Sequence, residues 1–127
     1  MTVDSQVVSQ IGPGLLVLLG VHAEDSEADV DYLADKVLAL RIFADQHGRM
    51  NAPLGERQIL CVSQFTLYGD TRRGNRPSWG AAAPGPVAEP LYERFCARTG
   101  AQRGVFGADM QVELVNDGPV TLLLESR

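Results

Sequence analysis

The feature that most constrains the fold is a pair of continuous apolar runs. Residues 14–21 read GLLVLLGV, bounded by glycine, and residues 58–65 read QILCVSQF. Short apolar runs between turn signals are typical of strands that are covered on both faces. The sequence therefore predicts two buried strands as the centre of the fold.

Two amphipathic helices are predicted beside these strands. Residues 26–29, with the sequence SEAD, have the form of a capping box, in which a serine and an acidic residue three positions later close the helix start. Apolar residues follow at helical spacing; they are Val30, Leu33, Ala34, Val37 and Leu38. A second helix is predicted over residues 86–99, with Gly100 as its stop signal.

The C-terminal part of the chain is predicted to form an antiparallel hairpin. Residues 105–115 alternate between apolar and polar side chains, as a half-buried strand does. Residues 120–125, with the sequence VTLLLE, are expected to pair back against them. Asp117 and Gly118 lie between the two segments, and an Asp-Gly pair is a strong signal for a tight turn.

The predicted order of elements is β, α, β, β, loop, α, β, β, with a short strand at residues 41–43. This order is typical of a mixed α/β or α+β protein. A chain of 127 residues fits one domain, residues 1–127. Cys61 and Cys96 lie in apolar segments, as expected for buried thiols in a reducing cytoplasm. No apolar run is long enough for a membrane helix, so no membrane partner is expected.

Positive charge is concentrated in one predicted loop. The net charge of −5 argues against a broad nucleic-acid-binding surface. Arg72, Arg73 and Arg76 cluster within residues 69–85, a stretch rich in Gly, Pro and Ala without periodicity. Loops longer than about 12–15 residues are usually functional or disordered. A solvated loop and an RNA-facing arginine patch both fit this pattern.

Several common kinds of catalytic site lack their motifs here. The sequence contains no GxSxG elbow, no HExxH pair and no phosphate-binding glycine loop. His22 and His47 stand alone in the sequence and are interpreted as surface residues. Neither cysteine belongs to a CxxC pair. We therefore expect no metal site and no cofactor.

Two polar segments remain as candidates for function. An otherwise apolar strand ends in three polar residues, Ser63, Gln64 and Thr66. One interpretation is that the strand leaves the core there. The other is that its N–H groups and the Thr66 hydroxyl form an oxyanion pocket. Gly118-Pro119 is either an ordinary turn or a cis peptide that points two carbonyl oxygens in the same direction. Only about 5–6% of X–Pro bonds are cis, so the sequence leaves both interpretations open.

Seven strings in this chain occur together in one known family. They are IGPGLLVLLGV (11–21), RIF (41–43) followed by Asp45, GRMN (48–51), SQFTL (63–67), GNRPS (74–78), FGADM (106–110) and NDGPVT (116–121). In this order and spacing, the chain resembles the bacterial-type, strictly D-selective D-aminoacyl-tRNA deacylases over essentially its whole length.

The resemblance implies an activity, a partner and a site. The activity is hydrolysis of the ester between a D-amino acid and the terminal ribose of tRNA, with glycyl-tRNA as a second substrate. The enzyme is implied to be a homodimer whose active site lies at the interface. The segment Ser63-Gln64-Phe65-Thr66 of one subunit forms the pocket, and Gly118-Pro119, in cis, enters from the other.

The implied selection works by steric clash. An L-amino acid would drive its side chain against the Gly118 and Pro119 carbonyls, whereas a D side chain points elsewhere and glycine has none to reject. The neighbouring ribose 2′-hydroxyl assists the attacking water, so the protein supplies positioning and oxyanion donors. Thr66 is therefore interpreted as a positioning residue and not as a nucleophile.

The resemblance also implies layered, antiparallel-rich sheets with two helices packed outside. Family members usually begin with a further strand before the place of Met1, so the chain is expected to lack the first strand; a mis-assigned start codon is one hypothesis. Two alternatives to the editing enzyme stay open. One is a non-catalytic tRNA-binding module of the same fold, and the other is a small-molecule esterase or structural dimer.

Overall fold

The computed structural model describes residues 1–126, which form a mixed α/β fold with several small sheets. In chain order the elements are β1 (Thr2–Val3), β2 (Gln6–Val7), β3 (Gly14–Leu19), α1 (Glu27–Ala39), β4 (Phe43–Ala44), β5 (Met50–Ala52), β6 (Gln58–Ser63), a 3₁₀ helix (Phe65–Tyr68), α2 (Gly85–Thr99) and β7 (Gln102–Arg103). The largest sheet, β3-β6-β7, is parallel, whereas β1–β2 and β4–β5 are antiparallel pairs. The predicted fold class and both helices are confirmed.

Strand β6 is the centre of the largest sheet because both of its faces are covered. Ile59 and Cys61 face the main core, whereas Leu60 and Val62 belong to a smaller cluster. Successive side chains of a strand point to opposite faces, so a strand covered on both sides must be apolar throughout. The second apolar run is therefore buried, as the sequence predicts.

Strand β3 is less buried than the sequence predicts. It ends at Leu19, and Leu18 is 45% exposed, because β3 lies at the edge of the sheet and, within residues 1–126, has β6 as its only neighbouring strand. Its first residue, Gly14, lies so close to β6 that a Cβ would come within 1.8 Å of the Gln58 carbonyl oxygen. A side chain at this position would separate the two strands.

The two helices begin and end at local signals in the sequence. At the start of α1, the Asp29 carboxylate accepts a hydrogen bond from the Ser26 N–H at 2.8 Å, which forms the predicted capping box. Helix α2 begins one residue before its predicted start, and Gly100 ends it in the left-handed conformation. Arg94 Nε lies 2.9 Å from Asp31 Oδ1 and joins the helices. No helix among residues 1–126 is long and apolar enough to span a membrane.

The main core lies between the helices and β6. The hydroxyl group of Tyr92, which lies in this core, both donates and accepts a hydrogen bond. Tyr92, Phe95, Cys61 and Cys96 are the largest side chains that are completely buried. The Tyr92 hydroxyl donates to the Cys61 carbonyl at 2.8 Å and accepts from the Gly104 N–H at 3.1 Å. Both thiols are buried and free, as predicted. The hydrogen bond with Cys96, together with burial, raises the pKa of the Cys61 thiol.

The predicted C-terminal hairpin is wrong. Residues 105–115 and 120–125 form no strand, and the only backbone bridge of this region within residues 1–126 joins Gln111 to Thr2. Alternation of side chains is a local property, whereas a strand also needs a neighbouring chain at hydrogen-bonding distance. In the described chain that neighbour is missing, and Val115, for example, stays 95% exposed.

Candidate active site

The polar end of β6 continues as a short 3₁₀ helix and not as a strand. The strand ends at Ser63, opposite Leu19, so it is two residues shorter than predicted because its neighbour β3 ends there too. The Gln64 N–H donates to the Leu19 carbonyl at 2.8 Å and fixes the chain where it turns. The next residues, Phe65–Tyr68, form the 3₁₀ helix, and Thr66 on it is exposed.

A side-chain hydrogen bond orients the hydroxyl of Thr66. The Gln64 side-chain amide donates to Thr66 Oγ1, which leaves the hydroxyl hydrogen of Thr66 available as a donor. An amide is not a base, and no carboxylate or imidazole is hydrogen-bonded to Thr66 in the chain as described. The arrangement is suited to holding a carbonyl group or a water molecule, and it lacks the base that a threonine nucleophile requires.

The 3₁₀ helix also presents two backbone donors. The leading N–H groups of a helix have no acceptor within the helix. Here they belong to Phe65 and Thr66, and neither donates to another residue in the part of the chain that the structure describes. This segment therefore carries two N–H groups and one oriented hydroxyl that have no recorded acceptor among residues 1–126.

Aromatic rings flank the 3₁₀ helix on both sides. The Phe65 ring meets Trp79 edge-to-face, with ring centroids 5.1 Å apart. Trp79 lies across Gly69, where a Cβ would come within 2.7 Å of the indole. On the other side, His22 packs edge-on against Tyr68 at 5.4 Å. The sequence reasoning did not identify Trp79, although an aromatic residue inside a loop rich in Gly and Pro was a usable signal.

His22 differs from its interpretation as an isolated surface residue. It is half-buried beside the site, and its Nδ1 accepts a hydrogen bond from the Glu24 N–H at 3.0 Å. A neutral imidazole with Nδ1 used as the acceptor carries its proton on Nε2. The contact with Tyr68 depends on how distant segments pack, which isolation in the sequence does not reveal. His47 is exposed, as predicted.

The predicted loop contains a closed segment that carries the arginine cluster. Asp70 and Ser78 exchange two backbone hydrogen bonds of 2.8 Å, which close the residues between them into what we call the arginine loop. Arg72 Nη2 lies 2.7 Å from Asp70 Oδ2, and this hydrogen-bonded pair lowers the pKa of the Asp70 carboxyl to about 2. Arg73 and Arg76 are exposed, and within residues 1–126 no ion pair engages either of them.

The second predicted motif lies apart from the first. The Gly118–Pro119 peptide bond is cis, and both residues are exposed. The Gly118 N–H donates to the Asn116 carbonyl at 2.9 Å, and a Cβ on Gly118 would meet nothing within 4 Å. Among the described residues, no hydrogen bond or ring contact joins this motif to the 3₁₀ helix.

The fold and the site define a class of protein. Backbone donors, an oriented hydroxyl, aromatic rings and nearby arginines are suited to positioning a polar substrate. Over residues 1–126, no group of three or more His, Cys, Asp or Glu side chains could hold a metal ion. The class is a mixed α/β protein in which the described residues place no acid–base pair at Thr66.

The sequence model of the D-Tyr-tRNA(Tyr) deacylase family matches residues 1–125, and the chain belongs to this family. A D-aminoacyl-tRNA deacylase of Myxococcus xanthus is 57% identical over 99% of this chain and 87% of the relative. One of Symbiobacterium thermophilum is 55% identical over 99% of this chain and 88% of the relative. The resemblance described from the sequence is confirmed, and deacylases are hydrolases.

Solved structures agree with this fold. A c-Myc DNA unwinding element binding protein superposes with a TM-score of 0.87 and 38% identity, over 94% of this chain and 86% of its own. A probable eukaryotic D-amino acid tRNA deacylase gives a TM-score of 0.59 at 22% identity, over 70% of this chain and 54% of its own. The second likeness shows the fold alone.

Proposed function

We propose that this chain is a D-aminoacyl-tRNA deacylase, which hydrolyses the ester between a D-amino acid and the terminal ribose of tRNA. The family match over residues 1–125 carries the proposal, because relatives about half identical to this chain bear that name. The geometry at Thr66 is compatible with it, since the site presents donors to an oxygen atom and needs no side-chain base. The whole of residues 1–127 acts as one domain in the cytoplasm.

The proposed chemistry is addition of water to an activated ester. The ester carbonyl oxygen binds the N–H groups of Phe65 and Thr66, which stabilise the negative charge that develops when water attacks. The neighbouring ribose 2′-hydroxyl orients the water and assists the proton transfer. The bond between the carbonyl carbon and the ribose oxygen then breaks, the ribose oxygen takes a proton, and the free D-amino acid leaves. Gln64 holds the Thr66 hydroxyl in place, and Ser63 forms the base of the pocket.

A second copy of the chain completes the proposed site. Gly118 and Pro119 are exposed, and within residues 1–126 no hydrogen bond or ring contact joins them to the 3₁₀ helix, which supports their supply by a partner subunit. Val115 and Leu123 in the same C-terminal region are 95% and 77% exposed, and clustered apolar exposure of this kind marks interaction surfaces. The Gly118 and Pro119 carbonyls would clash with an L side chain. D-aminoacyl and glycyl esters would both be accepted.

The arginine loop is the proposed contact with the tRNA backbone. Arg73 and Arg76 are available for phosphate groups, whereas Arg72 is already paired with Asp70. With a net charge of −5, the rest of the surface adds little attraction for RNA. Binding of tRNA is therefore expected to be weak and concentrated at its acylated end.

The proposal is tested by following amino acid release and tRNA binding together. Purified full-length protein is incubated with D-aminoacyl-tRNA and with glycyl-tRNA, and free amino acid is measured against a protein-free control. Release above the control from both substrates supports the proposal. Binding of tRNA without release would instead identify a non-catalytic tRNA-binding module. Release from a simple amino acid ester at the same kcat/KM would identify a small-molecule esterase.

A further inference from the structure

The two cysteines of the chain lie against each other in the main core, and the proposed function uses neither of them. Cys61 is on β6, Cys96 is on α2, and both side chains are completely buried. A hydrogen bond joins the two thiols. We propose that this thiol pair is a modification site, at which a hydroperoxide reversibly converts the two thiols into an intrachain disulfide. The inference goes beyond the proposed function and does not depend on it.

The fold holds the two thiols together from both sides. Tyr92 and Cys96 are four residues apart on α2, so their side chains lie on the same face of that helix. The Tyr92 hydroxyl donates to the Cys61 carbonyl at 2.8 Å, which fixes this face of α2 against β6. Beyond α2 the chain returns to the same strand, where Arg103 of β7 is the register partner of Cys61. The position of one thiol beside the other is therefore determined by the backbone.

The two thiols have different roles in the proposed oxidation. The thiolate is the form of cysteine that attacks a peroxide. The hydrogen bond from Cys61 lowers the pKa of Cys96, and the positive charge of Arg103 acts in the same direction, although burial opposes both. The same hydrogen bond, together with burial, raises the pKa of Cys61. Cys96 is therefore assigned as the thiol that reacts first, and Cys61 as the thiol that completes the disulfide.

The oxidation takes place in two balanced steps. The Cys96 sulfur attacks one oxygen of the hydroperoxide, so an S–O bond forms and the O–O bond breaks. The departing oxygen takes the thiol proton and leaves as an alcohol, or as water from hydrogen peroxide, and Cys96 becomes a sulfenic acid. The Cys61 sulfur then attacks the Cys96 sulfur, so the S–S bond forms and the S–O bond breaks. The hydroxyl group leaves as water with the Cys61 proton, and one peroxide has oxidised two thiols.

Burial of both sulfur atoms determines which oxidant can act and which product forms. A small hydroperoxide needs only a local opening between α2 and β6, whereas a bulky disulfide would need the helix to separate from the strand. When the sulfenic acid forms at Cys96, the Cys61 thiol is already in contact with it. A reaction between groups that are held together is much faster than one between free molecules, so the disulfide forms before a second peroxide arrives.

Mass spectrometry of the full-length protein tests the proposal directly, because the chain has only two cysteines. The folded protein is treated with hydrogen peroxide, and its mass and its non-reduced peptides are measured. The expected result is the loss of about two mass units, the two thiol hydrogens, and a cross-linked peptide that contains Cys61 and Cys96. Dithiothreitol should reverse both changes. Two thiols that stay free, a sulfinic acid as the main product, or a disulfide between two chains would overturn the proposal.

Two matched variants test the order in which the thiols react. In Cys61→Ala the Cys96 sulfenic acid has no partner thiol, so dimedone, a reagent for sulfenic acids, should label Cys96 after peroxide treatment. Cys96→Ala should take up much less dimedone at Cys61, and the original chain should take up little because the disulfide consumes the sulfenic acid. Equal labelling of the two variants would overturn the assigned order. Equal labelling of Cys61→Ala and the original chain would overturn the disulfide.

An unfolded control shows whether the fold brings the thiols together, and it needs no variant. The same peroxide treatment is repeated in urea, where a smaller share of the oxidised chains should contain the intrachain disulfide. The oxidised folded protein should also unfold at a higher urea concentration than the reduced protein, because the bond restricts the unfolded chain. A disulfide that forms only in urea, or an oxidised protein with a lower urea midpoint, would show that the bond does not fit the folded core and would overturn the inference.

Discussion

At the scale of single residues, the site is organised by backbone groups and by one hydrogen-bonded hydroxyl. Thr66 receives its hydrogen bond from the Gln64 amide, which orients the hydroxyl without making it more nucleophilic. The free N–H groups of Phe65 and Thr66 lie at the same point of the chain. This arrangement is compatible with the positioning role proposed for Thr66, and that role has a measurable signature.

Replacement of Thr66 should reduce the rate without abolishing it. Thr66→Val removes the hydroxyl but keeps the backbone donors, so kcat for D-aminoacyl-tRNA should fall about ten- to a hundredfold, or about 1.4–2.7 kcal/mol in the barrier. The kcat of Thr66→Ser should remain close to that of the original chain. Single-turnover amino acid release measures both. Loss of all release above the protein-free control in Thr66→Val would instead point to a nucleophile.

An added methyl group at Gly118 should disturb the partner's site and not the chain that carries it. A Cβ there meets nothing within 4 Å, so Gly118→Ala should leave the Tm unchanged. If the residue faces the pocket of a second subunit, kcat/KM for D-aminoacyl-tRNA should fall about tenfold, near 1.4 kcal/mol. Unchanged kinetics together with an unchanged Tm would place Gly118 outside the site.

Mixed dimers show whether the two motifs act across the interface. A dimer of one Thr66→Val chain and one Gly118→Ala chain contains one intact site if each site takes Thr66 from one subunit and Gly118 from the other. Its activity should then exceed the mean of the two parent variants. Activity equal to that mean would mean that both motifs act within one chain.

At the scale of the elements, the helices and β6 form the support on which the 3₁₀ helix is built. Tyr92 on α2 bonds to the Cys61 carbonyl on β6, two residues before that strand ends at Ser63. Removing the hydroxyl would take one hydrogen bond from that carbonyl and one from the Gly104 N–H, which would keep only their own 3.3 Å contact with each other. The strand that carries the site is thus held directly by a helix.

Tyr92→Phe should therefore destabilise the fold. We expect the free energy of unfolding to fall by about 1–3 kcal/mol, because the two hydrogen bonds of the Tyr92 hydroxyl are lost. Urea denaturation measures the change, and Tyr32→Phe on the exposed face of α1 should alter the midpoint far less. Activity per folded molecule should stay the same. Equal midpoints for the two variants would contradict the structural role of the hydroxyl.

The ion pair between Asp31 of α1 and Arg94 of α2 should make the free energy of unfolding depend on pH. The hydrogen bond from Arg94 lowers the pKa of Asp31 below its ordinary value. A carboxyl with a lower pKa in the folded state contributes its full stabilisation above the unfolded pKa of about 4 and loses it as the pH falls through the folded value. Asp31→Asn should thus be less stable than the original chain at neutral pH, and the difference should vanish in acid.

Urea midpoints for both chains, measured from neutral pH down to about pH 3, test this expectation. The pair is partly exposed, so the difference should be small and should shrink further in high salt. A difference that grew as the pH fell would contradict the assigned direction of the Asp31 pKa.

Sequence signals that act within a few residues predicted the helices well. Features that depend on contacts between distant residues were not predicted. The capping box at Ser26 and the stop at Gly100 act within a few residues, and they correctly predict the start of α1 and the end of α2. Residues 105–115 alternate like a strand, and residues 120–125 were expected to pair with them, but within residues 1–126 neither segment has a neighbouring strand. The Phe65–Trp79 contact also joins distant positions, which explains why composition alone did not identify Trp79.

At the scale of the whole molecule, the chain leaves its C-terminal apolar side chains uncovered. These residues are Leu114, Val115, Leu122 and Leu123. The motif at Gly118 lies between the two pairs, so a partner that covered them would also meet Gly118. The proposed homodimer therefore explains two observations with one contact: the exposed apolar residues and the separation of the two motifs within one chain.

The proposed dimer selects the configuration of the amino acid by excluding L side chains. The most direct measurement is the ratio of kcat/KM for the D and L forms of the same aminoacyl-tRNA, with the full-length protein at a concentration where it is dimeric. The D ester should be hydrolysed, and the L ester should remain at the level of the protein-free control. Equal rates for the two forms, or faster release of the L-amino acid, would contradict the claim.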